Sequence, residues 1–274
     1  MKTYLLFFLL IVSVYAQSQT LTLKWKTDTL LRAPESVLVD HGNNVLYVSN
    51  INGKGDAKDG NGFISKVGTD GKIITLKWAE GLDGPKGLGL YKGKLYVADI
   101  TQVVVIDVAT GKIAERVEVA GAQFLNDITV DSQGVVYISD TRAGKIYSLS
   151  AGKIATYFES PELNGVNGLL SEGHDLYVLN FATGKNYKLD PGKKLTHFAT
   201  TAQGADGVVP YGKGYLVSSW NGEIDHVSDQ GITTKLLDTR DKKINSADID
   251  YDAKTKTLYV PTFFANSVMA YEVK

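Results

Sequence analysis

The chain has 274 residues, with 29 Lys and Arg against 30 Asp and Glu, so its formal net charge is −1. A nearly neutral chain carries no excess positive charge for the phosphate backbone, and we therefore expect no nucleic-acid partner. Glycine (28) and tyrosine (15) are abundant and cysteine is absent, which favours short strands with tight turns and excludes disulfides.

The first residues, MKTYLLFFLLIVSVYAQSQT, have the composition of a secretory signal peptide. One lysine precedes an apolar stretch, and Val14 and Ala16 occupy the small-residue positions before a cleavage site. The stretch is too short to cross a bilayer as a helix. We expect residues 1–16 to be removed, residues 17–274 to form one periplasmic or secreted domain, and no stable membrane insertion afterwards. An uncleaved membrane anchor is the alternative.

A short phrase with a central apolar pair and tyrosine recurs along the rest of the chain. Its six copies are LYVSN (46–50), LYVAD (95–99), VYISD (136–140), LYVLN (176–180), YLVSS (215–219) and LYVPT (258–262). A turn ending in glycine recurs with them, and its glycines, Gly71, Gly111, Gly152, Gly192 and Gly231, are 40, 41, 40 and 39 residues apart. Four short strands with period-two alternation fit in each period. Such a repeat is typical of a β-propeller blade.

The two ends of the chain predict how the ring of blades closes. The last copy ends in SVMAYEVK, a third strand with none after it. Near the N-terminus, LTLKWKTDTLL resembles the fourth strand ITLKWAEGL of the first repeat. We therefore expect the N-terminal strand to complete the last blade, which leaves no exposed sheet edge. The predicted fold is an all-β, six-bladed β-propeller with four-stranded blades.

The innermost strand of each predicted blade begins at one mouth of the central channel. The residues just before these strands, counted by the repeat, are Glu35, Lys86, Asn126, Asn167, Asp206 and Ala247. Two carboxylates and two amides in this ring are the oxygen donors that Ca²⁺ prefers, and Mg²⁺ or Mn²⁺ can use them with stricter geometry. The ring lacks His and Cys, which argues against selectivity for Zn²⁺, although Zn²⁺ could still bind. The alternative to a metal site is a water-filled channel mouth lined by polar residues.

An insertion, NINGKGDAKDGNG, follows the first LYVS phrase and lengthens the first step of the ring to 51 residues. Its Asp56, Asp59 and Asn61 suggest a weak Ca²⁺ loop, but their spacing does not match an EF-hand, and we expect a flexible lid instead. Asp99 and Asp140, at the ends of two LYV-type phrases, are expected near the mouth or bonded to neighbouring loop backbone.

Several phrases resemble the gluconolactonase and senescence-marker-protein (regucalcin) family, a relative of the paraoxonases. They are APESVLVD, FLNDITVDSQGVVYISD, GVNGLLSEGHDLYVLN and GADGVVPYGKGYLVSSWNG. The resemblance covers essentially the whole chain after the signal peptide. It implies that Glu35, Asn167 and Asp206 bind a divalent cation and that Asn126 is a further ligand or a substrate contact. The chain departs from the family in APESVLVD, which lacks the usual Gly-Pro and aromatic residue, and at Lys86, for which the family offers no role.

Together these assignments predict an exported, metal-dependent hydrolase that opens a lactone or related ester, with Ca²⁺ the best-suited cation and Asp206 the general base. Lys86 is expected to attract an anionic substrate or to pair with Glu35. Trp220, on the same rim, is expected to contact a small lactone or sugar-derived substrate. We expect a monomer. The alternative, from a different class, is a non-catalytic propeller that binds a sugar, peptide or protein there.

Overall fold

The computed structural model describes residues 20–274, and the predicted signal peptide, residues 1–16, lies outside the described residues. Over residues 20–274 the chain forms six antiparallel sheets of four strands each. The sheets are arranged as blades around one axis, which confirms the predicted six-bladed propeller. No helix in this part of the chain has the length and apolar character needed to cross a membrane.

The strands are numbered in chain order. The first twelve are β1 (Leu21–Lys26), β2 (Pro34–Asp40), β3 (Val45–Asn50), β4 (Gly62–Gly68), β5 (Ile73–Leu82), β6 (Pro85–Tyr91), β7 (Lys94–Asp99), β8 (Gln102–Asp107), β9 (Lys112–Glu118), β10 (Leu125–Val130), β11 (Val136–Asp140) and β12 (Lys145–Ser150). The others are β13 (Lys153–Glu159), β14 (Val166–Glu172), β15 (Asp175–Asn180), β16 (Lys185–Leu189), β17 (Leu195–Thr200), β18 (Ala205–Tyr211), β19 (Gly214–Ser219), β20 (Glu223–Val227), β21 (Thr233–Asp238), β22 (Asp250–Asp252), β23 (Thr257–Pro261) and β24 (Val268–Val273). Short 3₁₀ turns occupy Pro161–Leu163, Arg240–Lys242 and Phe263–Ala265.

The hydrophobic core lies between neighbouring blades. One cluster joins Val45, Tyr47 and Ile64 of the first blade to Leu95 and Val104 of the second. Strand β3, in the middle of its blade, is buried along its whole length, whereas the outermost strand β9 alternates between exposed and half-buried residues. A strand packed on both faces needs apolar residues on both. This explains why the LYV-type phrases are the clearest sequence signal.

The N-terminal strand closes the ring as predicted. Strand β1 pairs with β24, so the last sheet has the order β22, β23, β24 and β1. Trp25 of β1 stacks against Tyr259 with ring centroids 5.7 Å apart. Its indole N–H donates to the Thr69 carbonyl oxygen at 3.1 Å, in a turn of the first blade. Trp25 therefore joins the last blade to the first.

A β-bulge near the start of the inner strand recurs in the first five blades. In β14, Asn167 and Gly168 together face the single residue Leu179 of β15. The same shift occurs at residues 35–36, 86–87, 126–127 and 206–207. A bulge bends its strand and re-aims the side chains. In each case the first bulge residue is the one that the sequence places in the ring.

Replacing Trp25 with alanine should lower the free energy of unfolding by about 2–4 kcal/mol, because it removes a half-buried indole and leaves a cavity at the closure. Urea denaturation followed by circular dichroism measures the change. Leu23→Ala in the same strand is the control: its side chain is 51% exposed. We expect the control to change the free energy by less than about 0.5 kcal/mol. Equal losses in the two variants would contradict the role of Trp25.

Candidate functional site

The starts of the inner strands surround a cavity of about 230 Å³ at one mouth of the channel. The cavity is lined by Glu35, Lys86, Asn126, Asn167, Asp206 and Trp220, which are the residues singled out in the sequence. They come from five different blades. Ala247, the sixth ring position, is buried but does not line the cavity.

Two oxygens in this cavity have no hydrogen-bond partner. They are Glu35 Oε2 and Asn167 Oδ1, and within residues 20–274 they are the buried side-chain polar atoms without a partner. The amide nitrogen of Asn167 donates to Asp206 Oδ1 at 3.0 Å, which orients the amide and leaves its oxygen free. An unsatisfied buried acceptor costs about 1–3 kcal/mol. The cavity therefore contains two buried acceptor oxygens that have no hydrogen-bond partner within the protein.

The carboxyl groups in the cavity are strongly desolvated. Burial raises the pKa of Glu35 well above its ordinary value, with repulsion from Asp206 and Asp248 adding to the effect and Lys86 opposing it. Burial likewise raises the pKa of Asp206, and Asp248 again adds to it. Both groups therefore hold protons to higher pH than exposed carboxyls do, unless a cation neutralises them.

The donor set fits a hard divalent cation that uses amide oxygens as well as carboxylates. Residues 20–274 contain no group of three or more His, Asp or Glu side chains that could hold a metal ion. A cation here would have Glu35 and Asp206 as anionic ligands and the free oxygen of Asn167 as a neutral one. The amide nitrogen of Asn126 donates to Thr141 Oγ1 at 3.0 Å, which leaves the Asn126 oxygen as a fourth candidate.

Lys86 is only 2% exposed, and its ammonium is bound to backbone. The Nζ atom donates to the carbonyl oxygens of Gly55 and Gly84, both at 2.8 Å, and lies 4.4 Å from the centre of the Phe124 ring. Burial lowers the pKa of Lys86 to about 8, with attraction to Glu35 opposing the shift. Two of its three N–H donors are therefore committed, and its attraction to Glu35 acts through space.

The part of the first-blade insertion that connects β3 to β4, residues 51–61, lies along one side of the cavity and is bonded to the propeller body. Gly55 accepts the hydrogen bond from Lys86, and the Asp56 carboxylate pairs with Arg142 at 3.0 Å. The backbone N–H of Gly60 donates to Asp83 Oδ1 at 2.9 Å. In this structure, the insertion that was expected to be a lid is therefore bonded to the propeller body at Gly55, Asp56 and Gly60.

Two other acidic residues near the mouth support the loops that enter the inner strands. Asp99 accepts hydrogen bonds from the backbone N–H groups of Asp83 and Gly84. Asp140 accepts them from Gln123 and Phe124. These bonds fix the backbone just ahead of the two ring positions in the second and third blades, which is the backbone role weighed for them from the sequence.

Sequence reasoning missed most of the apolar wall of the cavity. Besides Trp220, the wall contains Ile51, Phe124, Phe181 and Phe263. The repeat could have predicted most of the wall, because the residues that directly follow the LYV-type phrases form a second ring. That ring is Ile51, Ile100, Thr141, Phe181, Trp220 and Phe263. All but Ile100 line the cavity.

A larger cavity of about 460 Å³ occupies the channel beyond the site and reaches His41. Its buried carboxylates have internal partners. Asp127 accepts from the N–H of Leu169 at 2.6 Å and Asp250 from that of Val39 at 2.7 Å. These bonds join inner strands of neighbouring blades. The carboxylates of the larger cavity therefore connect the blades and are not left free to bind a ligand.

Comparison with known proteins shows the fold. A catalytically inactive histidine-to-alanine variant of virginiamycin B lyase from Staphylococcus aureus, solved with quinupristin, is 15% identical, with a TM-score of 0.65 and coverage of 93% of this chain and 99% of that chain. A streptogramin B lyase is 9% identical, with a TM-score of 0.69 and coverage of 93% and 98%. A chain of a nidogen/laminin complex is 18% identical, with a TM-score of 0.58 and coverage of 71% and 75%. No protein-family model and no curated protein matches the sequence.

Replacing Lys86 with methionine should loosen the insertion, because the hydrogen bond from its ammonium to the Gly55 carbonyl oxygen is lost, and a bond from a charged donor is worth about 1.5–3 kcal/mol. We expect amide hydrogen exchange in residues 51–61 to become at least about tenfold faster, as in local opening. Lys54→Met is the control, since the Lys54 side chain is exposed in the same insertion. Unchanged amide hydrogen exchange in the Lys86 variant would contradict this role, because it would show that the remaining contacts of residues 51–61 are enough to hold the insertion in place.

Proposed function

We propose that the protein is a hydrolase of the gluconolactonase-like type that opens a lactone or a related ester at the channel mouth with the help of a bound divalent cation. One observation carries the proposal: Glu35 Oε2 and Asn167 Oδ1 are buried without partners in the cavity that also contains Asp206. A cation would satisfy both oxygens and neutralise the desolvated carboxylates at once.

Glu35, Asn167 and Asp206, with Asn126 as a further ligand or substrate contact, would hold this cation. Their oxygen chemistry suits Ca²⁺ best, while Mg²⁺, Mn²⁺ and Zn²⁺ are competitors. When bound, the cation would act as a Lewis acid that polarises the carbonyl and lowers the pKa of water.

Asp206 is the proposed general base. The Asn167 amide nitrogen donates to its carboxylate at 3.0 Å and holds it in place in the cavity, where it would accept a proton from the attacking water. It takes a proton as water adds to the carbonyl carbon, and the proton goes to the leaving alkoxide when the acyl C–O bond breaks. The products are a carboxylic acid and a hydroxyl group, joined in one molecule when the substrate is a lactone.

Two other functions share this fold. A histidine-dependent lyase is disfavoured, because His41, His174, His197 and His226 all lie outside the wall of this cavity. A non-catalytic binding propeller is the remaining alternative, and the likeness to a chain of a nidogen/laminin complex is consistent with it at the level of fold. Activity measurements separate that alternative from a hydrolase. The N-terminal sequence supports export to the periplasm or beyond.

Ca²⁺ at about 100 times its dissociation constant should stabilise the folded protein by about 2.7 kcal/mol. For a domain of this size, that raises the melting temperature by about 5 °C or more. Differential scanning fluorimetry with Ca²⁺ or chelator measures the effect. We expect Glu35→Gln and Asp206→Asn to abolish it, and Asp59→Asn, in the insertion, to retain it.

The stabilisation should also depend on pH. Because the pKa values of Glu35 and Asp206 are raised, the folded protein without a cation retains protons that a cation must displace. The Ca²⁺-induced shift in melting temperature should therefore be larger at about pH 8 than at about pH 5. No shift at millimolar Ca²⁺ at the higher pH would count against the site.

Purified protein should hydrolyse members of a lactone panel only when a divalent cation is present. Asp206→Asn should lower kcat/KM by about 100-fold or more, because a general base contributes factors of that order. Asn167→Ala should lower it as well, through loss of the neutral ligand and of the hydrogen bond to Asp206. Asp59→Asn should leave the rate unchanged. If the panel shows no cation-dependent turnover, the protein is not this hydrolase.

A further inference from the structure

The cavity divides into a polar floor and an aromatic wall. The floor is formed by the ring residues at the starts of the inner strands. The wall consists of Phe124, Phe181, Trp220 and Phe263, and Phe264 extends it beyond the cavity at the rim. A ligand that reaches the floor must therefore pass and contact this wall.

Three aromatic side chains at the rim form one packed cluster. Trp220 lies 5.3 Å from Phe263 and 5.6 Å from Phe264, measured between ring centroids, and the two phenylalanines are 4.8 Å apart. All three pairs meet edge to face, which is a favourable aromatic geometry. Phe264 is nevertheless 68% exposed, the highest value among the large hydrophobic side chains exposed in residues 20–274. The cluster presents apolar surface to whatever enters the mouth.

The hairpin that carries the two phenylalanines is held rigidly. Phe263 has a φ of 43°, a left-handed conformation that aromatic residues rarely adopt and that the surrounding contacts must maintain. Thr262 Oγ1 accepts from the N–H of Ser267 at 3.1 Å, and Asn266 Oδ1 accepts from the N–H of Ala33 at 2.9 Å. A rigid apolar wall loses little entropy when a ligand packs against it.

Each donor group of the floor already has an internal partner. The amide nitrogens of Asn167 and Asn126 donate to Asp206 and Thr141, and Lys86 donates to two backbone carbonyls. The free acceptors, Glu35 Oε2 and Asn167 Oδ1, are the atoms proposed to bind the cation. The other hydroxyl groups of a polyhydroxylated sugar lactone would therefore lie against the wall without partners, which is unfavourable. One carbonyl group at the floor with an apolar body against the wall matches the available contacts.

We propose that the substrate is a lactone or ester with an apolar alkyl or aryl body, rather than a sugar lactone. This inference rests on the proposed hydrolase function for its reaction but not for the binding of the apolar body. The carbonyl end lies at the floor near Asp206, and the apolar body packs on Trp220, Phe263 and Phe264. The sugar-derived substrate considered from the sequence is thereby replaced by an amphipathic one.

A series of γ-lactones with alkyl chains of increasing length tests the substrate class. Each methylene packed on the wall should raise kcat/KM about fourfold until the wall is covered, which corresponds to about 0.8 kcal/mol per methylene. Gluconolactone should be a poorer substrate than the longer members. Trp220→Ala and Phe264→Ala should flatten the dependence on chain length. Ile232→Ala is the matched control, because Ile232 is a similarly exposed apolar residue, at 61%, that does not line the cavity.

A binding measurement separates this inference from the hydrolase proposal. Non-hydrolysable lactams with the same alkyl chains are titrated into chelator-treated protein, and the fluorescence of Trp220 is followed, with Trp220→Phe giving the background from Trp25 and Trp78. We expect affinity to rise with chain length. If no lactone is hydrolysed but long-chain lactams bind, the hydrolase proposal fails and the apolar ligand class stands.

Other outcomes would overturn the substrate class. One is turnover of gluconolactone at least as fast as that of the long-chain lactones, which would leave the hydrolase proposal intact. Another is a dependence on chain length that persists unchanged in Trp220→Ala and Phe264→Ala. A third is lactam binding that does not respond to chain length, or no lactam binding at all.

Discussion

The close approach of neighbouring inner strands at their bulges is the constraint on which the rest of the structure depends. At Gly168 and Gly207 the backbones leave no room for a side chain: a Cβ on Gly168 would overlap the carbonyl oxygen of Asp206, and one on Gly207 would overlap the backbone nitrogen of Ile249. Since the second bulge residue packs against the next blade, the first is turned towards the axis. One local distortion, repeated in five blades, thus packs neighbouring inner strands together and assembles the cavity.

Burying carboxylates between the blades is unfavourable. Hydrogen bonds offset this desolvation for one buried acid but not for another. Asp127, at a second bulge position, accepts backbone N–H groups from Ile128 and Leu169, so its desolvation is offset by bonds that join two blades. Glu35 is equally buried, yet one of its oxygens has no partner, and so does the Asn167 amide oxygen. Hydrogen bonding, rather than burial or pKa, separates Asp127 from the two unpartnered candidate ligands, Glu35 and Asn167.

The fold was predictable because every blade of a propeller buries the same strands in the same way. This repeated packing gives the sequence a period of about forty residues. The same period placed Asn167 and Asp206 in one ring. Lys86 was harder to interpret, because its partners are backbone carbonyls of Gly55 and Gly84. Any residue type supplies a carbonyl, so such partners leave no mark in the sequence. The wall escaped notice because the residues that follow the LYV-type phrases, Phe181 and Thr141 for example, share a register but not a chemistry.

The two rings are under different physical constraints. Floor residues project from bulges whose neighbours are packed between blades, so a change of backbone there, as at Gly168, would disturb the closure of the ring. Wall residues such as Trp220 and Phe263 follow the ends of second strands, and Phe264 projects into solvent. Apart from the ring contacts between Trp220 and the two phenylalanines, their side chains can change without altering the contacts between blades, provided that the hairpin bonds of Thr262 remain. In this architecture the reactive group and the selection of the ligand are therefore separable: the floor is tied to folding stability, and the wall is free to determine which molecule reaches it.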